Sequence, residues 1–211
     1  VLRGPIRVNG TPQNRVTFSG YGGERWRGIS AINSNYWSDG QRSVLKNTVI
    51  SGTLNAAHGP WEITGGVTFH KSDVDIISSR ISDSEAEDAL NIVHSDFTLV
   101  DVTVSDTRSD AFDGDFSVGR IVDSTFARVG GDAIDFSGSE IDVEDTKFLT
   151  VADKAVSVGE QSSLTGRRLQ ILEVGTGIVS KDGSQTRVDG VTFAKTQYYE
   201  VMAYSKKPQY G

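Results

Sequence analysis

The chain has 211 residues, 36% of them apolar and 23 of them glycine, enough to bury one sizeable core. Asp and Glu number 28 against 21 Lys and Arg, for a net charge of -7, and no basic run occurs, so a nucleic-acid partner is not expected. Cysteine is absent, which excludes disulfides, thiolate metal sites and cysteine nucleophiles, and no run approaches the roughly 20 apolar residues of a membrane-spanning helix.

Residues 1–66 hold weak, long copies of a repeat, such as 43–52, together with Trp26, Trp37 and Trp61, each readable as a plug for an open end or as a surface on which a sugar stacks. From Val67 the repeat becomes regular. Asp-Ala recurs at 88–89, 110–111 and 132–133, and Lys154-Ala155 follows, an interval of 22 residues. Near the end Ser-Lys-Lys-Pro breaks the pattern. The organisation expected is one domain over 1–211, with irregular turns at 1–66, regular turns at 67–199 and a cap or linker at 200–211. The opening at Val1 and close at Gly211 suggest a segment of a longer chain, whose other domains would be partners.

Each unit begins on a large apolar residue (Val67, Leu90, Phe112, Ile134, Val156, Ile178) and ends on a small one (Ala89, Ala111, Ala133, Ala155, Gly177). A third ladder runs Ile81, Val104, Phe126, Phe148. Pairs such as Phe97/Leu99 and Ile141/Val143 alternate with period two, the mark of a strand, and helical spacing is hard to find. Short strands recurring every 22 residues predict an all-β fold, a single-stranded right-handed parallel β-helix. An all-β sandwich is the rival, which strict spacing disfavours.

With the first residue of each unit inward, the second and fourth should face solvent. The second position reads Thr68, Asn91, Asp113, Asp135, Ser157, Val179, and the fourth His70, Val93, Asp115, Ser137, Gly159, Lys181. Before them the turn position reads Asp88, Asp110, Asp132, Lys154, Thr176. Six carboxylates therefore share one patch, on coils about 4.8 Å apart, where like charges raise one another's pKa unless compensated.

Three readings stay open. Asp88, Asp110 and Asp132 are turn residues bonded to their own backbone two residues on; or the two lines of carboxylates hold calcium, which takes six to eight oxygens; or Asp113 with Asp135, or with Asp115, forms an acid–base pair for glycoside hydrolysis. Gly114, glycine where an apolar residue is normal, marks either a close approach by ligand or a bulge. Lys154 is also read as neutralising Asp132 and Asp135. The histidines His58, His70 and His94 lie in separate units without zinc spacing.

Through its unit length, its ladders and the phrases GGVTF, GGDAIDFSGS and DKAVSVGE, the chain resembles the right-handed parallel β-helix superfamily of pectate lyases and of carbohydrate-binding and sugar-hydrolase repeats. DKAVSVGE and KKPQYG also resemble β-helix regions of bacterial surface proteins that accompany spore-coat-type kinases. The superfamily resemblance implies lyase, hydrolase or epimerase chemistry, with calcium on the acidic face of the lyases. It also implies a basic residue for a lyase, for which Lys154 and Lys181 stand in the right columns, and a histidine for an epimerase, for which His94 stands one turn before Asp113. The Gly-His-Gly and Arg-x-Lys motifs of polygalacturonase-type hydrolases are missing. The expectation is a protein that binds or processes a polysaccharide, with Asp113, Asp115 and Asp135 catalytic, His94, Lys154 and Lys181 binding substrate, and Asp88, Asp110 and Asp132 as metal ligands if calcium is bound. Its setting would be extracellular, periplasmic or at the cell surface. The alternative is a non-catalytic spacer with an acidic, calcium-binding face.

Overall fold

The computed structural model describes residues 1–58 and 61–210, the side chains of His58 and Trp61 excepted, so the readings for those two side chains and for Gly211 fall outside the described residues. The chain winds into a parallel β-helix with three faces. The acidic face is built from Ile29–Ile32, Gly65–His70, Asp88–Val93, Asp110–Asp115 and Ile134–Ser137, then the distal parts of the long strands Lys147–Gly159 and Gln170–Lys181, and Val201–Tyr204. A second face runs from Arg7–Asn9 through Asp96–Val100 and Val118–Val122 to Gln185–Asp189. The third runs from Val16–Phe18 through Thr103–Thr107, Thr125–Val129 and the first parts of the long strands to Thr192–Thr196. Among the described residues one strand pair is antiparallel, the hairpin Ala56–His58 with Trp61–Ile63, so the sandwich is excluded.

The register follows the ladders read from sequence. Val67 pairs with Leu90, Leu90 with Phe112, Ile134 with Val156 and Val156 with Ile178. On the third face Ile81, Val104, Phe126 and Phe148 pair in order. All these side chains are buried, and their apolar area is the main stabilising contribution. Phe126 stacks on Phe148 with centroids 5.5 Å apart, and Phe112 meets Phe136 edge-on at 5.4 Å.

Gly114 is not a bulge. The strand around it keeps regular register, Ile92 with Gly114 and Gly114 with Phe136. A Cβ at Gly114 would lie 2.7 Å from the Phe136 ring, so the glycine makes room for a ring supplied by the next coil. Gly119 does the same for Phe97 of the preceding coil, whose ring a Cβ there would strike. A close-packed interior accepts these two glycines because two phenylalanines fill the space.

Two features of the corners escaped the sequence reading. At the end of the acidic face each coil turns through positive φ: Lys71, His94, Phe116 and Gly138 singly, then Glu160 with Gln161 and Asp182 with Gly183. A serine follows each single residue or pair (Ser72, Ser95, Ser117, Ser139, Ser162, Ser184), and these serines form an internal ladder. The backbone N–H of Ser72, Ser95, Ser117 and Ser139 donates to the Oγ of Ser95, Ser117, Ser139 and Ser162 in turn, at 2.9 to 3.2 Å. Each of Ser72, Ser95, Ser117 and Ser139 in turn donates its hydroxyl to a carbonyl two residues back. The buried hydroxyls of these four serines are thereby satisfied.

The two ends depart from the 22-residue rule. Ile29 pairs with Val67, a step of 38 residues that includes the short helix Ser34–Trp37 and the hairpin. Trp26 packs against the core and donates Nε1–H to the Ser51 carbonyl at 2.7 Å, which fits the plug reading, whereas Trp37 is exposed beside Tyr36. The segment expected as a cap begins with one further rung, Val201–Tyr204 paired with Ile178–Lys181. It then folds back, with the N–H groups of Lys206 and Lys207 on Asp182 and the Lys207 ammonium on Glu160.

Candidate functional site

The six aspartates converge as the ladder requires. Asp88 pairs in register with Asp110, Asn91 with Asp113, and Asp113 with Asp135. Asp115 is two residues along the same strand, opposite Ser137.

The expectation that the second and fourth columns face open solvent holds only in part, with Asp113, Asp115 and Asp135 half-buried. Asp88 is 5% and Asp132 6% exposed, and in the second column Asn91, Ser157 and Val179 are buried as well. Side chains stacked at one coil's rise shield each other, and at one end the lysine of the fourth column folds inward over Ser157 and toward Asp135. The Lys181 stem lies against Gly159, and its ammonium donates to Ser157 Oγ at 2.9 Å.

The turn aspartates bond differently from the expected local turns. Asp110 Oδ1 accepts the backbone N–H of Asp132 at 2.8 Å, and Asp132 Oδ1 accepts that of Lys154 at 2.9 Å. Each carboxylate thus caps the coil that follows, because successive corners stand directly above one another. Lys154 also places its ammonium 3.1 Å from Asp132 and 2.6 Å from Asp153. The counter-charge for Asp135 is Lys181, at 3.6 Å, rather than Lys154.

Burial dominates the electrostatics. It pushes the Asp113 carboxyl up to about 9, with Asp115, Asp88 and Asp135 adding like-charge repulsion. Asn91 Nδ2 donates to Asp113 Oδ2 at 2.9 Å. Burial also raises Asp88 to about 7, against a hydrogen bond with Thr64, and raises Asp132 to about 7, against the pull of Lys154. Asp110 and Asp115 are raised too, again by burial first. One side of the cluster is poised for a divalent cation in geometry: oxygens of Asp110, Asp132 and Asp135 lie within 4.8 Å of one another. Asp135 Oδ1 is buried and accepts no hydrogen bond.

Of the three residues expected to touch substrate, Lys154 and Lys181 are both engaged with aspartates. His94 lies at the corner beyond Asp115, its ring stacked on Phe116 at 4.9 Å and edge-on to His70 at 6.1 Å. Phe116 and Asn91 were missed as site residues. Asn91 was legible from its place in the second column. A groove of about 530 Å³ lies around the other corner, lined by Thr107, Arg128, Gly130, Glu173 and Lys195, away from the converging carboxylates.

No protein-family model and no curated protein matches the chain. Solved structures with similar coiling include pectate lyase Pel9A (TM-score 0.41, 10% identity, 92% of this chain and 69% of that one). The Agl-KA catalytic domain is similar with TM-score 0.36 and 12% identity, over 96% of this chain and 56% of that one. The Streptococcus pneumoniae surface protein and adhesin PfbA follows with TM-score 0.24 and 11% identity, over 79% of this chain and 51% of that one. This chain thus spans little more than half of the last two, and likenesses at these scores carry no residue correspondence.

Proposed function

We propose that the acidic face binds a polysaccharide and cleaves it by acid–base catalysis, with Asp113 as proton donor and Asp135 as its partner carboxyl. One observation carries this reading: Asp113, whose carboxyl burial pushes up to about 9, stands in register with Asp135, which lies 3.6 Å from the Lys181 ammonium. An acid and its base or nucleophile require two carboxyls in different surroundings, and here one is recessed among other carboxyls while the other has a cation beside it. Adjacent coils step about 4.8 Å, near the ~5 Å separation of a retaining pair. Asn91 occupies Asp113 Oδ2 and leaves the other oxygen to carry the proton toward a glycosidic oxygen. Asp115 and Asp88 maintain the protonated state by repulsion. Lys154 and Lys181, committed to Asp132 and Asp135, are poorly placed to serve as the base of a lyase. An extracellular, periplasmic or cell-surface setting accords with a polysaccharide partner.

Calcium is the second reading, favoured by the convergence of Asp110, Asp132 and Asp135. Those residues would hold the ion, which would neutralise the cluster; the ammonium groups of Lys154 and Lys181 already stand beside two of them. Thermal melting with calcium and with chelator separates the two readings, since an ion held by the native state raises the midpoint.

The direct test is release of reducing ends from neutral, amino-sugar and uronic-acid polysaccharides. Wild type should turn one of them over, and Asp113→Asn should lower the rate by about 10²–10⁴-fold with folding intact. Binding without turnover in wild type would defeat the catalytic reading in favour of a non-catalytic module.

A further inference from the structure

The coil that carries Asp113, Gly114 and Asp115 breaks its column once more at Phe116. The positive-φ corner holds Lys71, His94, Gly138, Glu160 and Asp182 in the other coils, residues that are polar or lack a side chain. Phe116 takes φ 49° there and leaves its ring 57% exposed. Both facts run against ordinary preference: a bulky residue at positive φ is an outlier, and a large aromatic usually buries its area. The fold does not require a ring at this corner, since glycine serves one coil later. The ring is nonetheless held. His94 stacks on it from the preceding coil, 4.9 Å between centroids and 14° between planes, and it leans over Gly138 of the following coil, where a Cβ would come within 2.6 Å of it. Val118, two residues on, is 53% exposed and continues the apolar surface. Phe116 is three residues beyond Asp113, roughly 10 Å at strand rise, a sugar or two from the proposed point of cleavage.

We infer that Phe116, braced by His94, is a stacking platform for one pyranose ring, and that the chain it receives is a neutral or amino-sugar polymer rather than a polyuronate. This rests on the reading of the acidic face as a saccharide groove. An aromatic ring offers its face to the apolar C–H side of a sugar. Asp88, Asp110, Asp113, Asp115, Asp132 and Asp135 surround the groove, and the two lysines among them are paired with Asp132 and Asp135. With both of those lysines already paired, the cluster offers a polymer of carboxylates no counter-charge of its own, whereas its carboxyls can hydrogen-bond a polymer bearing hydroxyls or ammonium groups.

The test is calorimetric titration of wild type, Phe116→Asn and Phe116→Tyr with hexamers of β-1,4-glucose, β-1,4-glucosamine and α-1,4-galacturonate. Asparagine accepts positive φ, so the first variant should melt no lower than wild type. The expected result is binding of the glucose or glucosamine hexamer, weakened about tenfold by Phe116→Asn, a usual worth for one aromatic contact, and kept by Phe116→Tyr. Equal affinity in Phe116→Asn would overturn the platform while leaving the groove intact. Tightest binding of the galacturonate hexamer would overturn the polymer class. Failure of wild type to bind any hexamer would overturn the platform and the groove together.

Discussion

Along the third face and its corners, acidic residues on one coil meet basic residues on the next: Asp106 with Arg128 at 2.5 Å, Asp145 with Arg168 at 2.7 Å, Glu173 with Lys195 at 2.6 Å. On the acidic face a like interval sets Asp113 over Asp135 and Asp88 over Asp110. The outer column therefore pairs opposite charges in water, where Arg128, Arg168 and Lys195 hold Asp106, Asp145 and Glu173 below the usual carboxylate range. The inner column stacks like charges out of water and drives their pKa values upward. One geometry yields ordinary surface ion pairs in one place and protonated acids in another. The difference lies in which residue types fill the column and how deeply it is recessed.

The sharpest break in this contrast is Lys154→Met. It leaves Asp132, 6% exposed, with one backbone N–H bond but no cation, and should cost about 3 kcal/mol at pH 8. At pH 5, below the raised value of Asp132, the carboxyl is neutral and the cost should fall by more than half. Urea unfolding at the two pH values checks this.

Asp113→Asn should act in the opposite sense. A carboxyl raised in the folded state favours folding fully below its unfolded value near 4, and that contribution is lost as pH climbs through about 9. Wild-type stability should therefore decline between about pH 4 and pH 9, with Asp88 and Asp132 contributing near 7. The variant should flatten that decline and be more stable than wild type by about 1–3 kcal/mol at pH 9. A steeper decline in the variant would contradict the assignment.

The smallest effect belongs to the outer column. Arg128→Ala removes an exposed pair and should cost little, a loss that disappears in ~1 M salt. Asp106, Asp145 and Glu173, lowered in the folded state, favour folding above their unfolded values and lose that contribution as pH falls through their folded ones. Melting scanned from pH 2 to pH 10 should accordingly rise and then decline.

Most of the coil was legible because its cause is periodic: Leu90, Phe112 and Ile134 occupy equivalent environments, so identical physics repeats in the letters. The acidic columns were legible for the same reason. Their recess was not, because it depends on how side chains of neighbouring coils lie over one another, as Lys181 does over Ser157, a choice of rotamer rather than of residue. The capping by Asp110 and Asp132 was misassigned to their own turns, since a contact to the coil above and one to the same coil leave the same Asp in the sequence. The serine ladder stood in plain view at Ser95, Ser117 and Ser139 but was passed over, because serine at a corner is unremarkable until its hydroxyl is seen to be buried.

The complementary fits of Phe97 to Gly119 and of Gly114 to Phe136 make the coils non-interchangeable. A solenoid of equivalent turns can lengthen by duplicating any one of them. Here a second copy of 112–133 set beside the first would place Gly114 against Gly114 and Gly119 against Gly119, leaving a void at both positions of the new junction where a phenylalanine ring now fits. Growth or recombination by whole coils is thus blocked at this point, and the coil bearing Asp113 and Phe116 is tied to its two neighbours as a three-coil cassette that must be inherited intact.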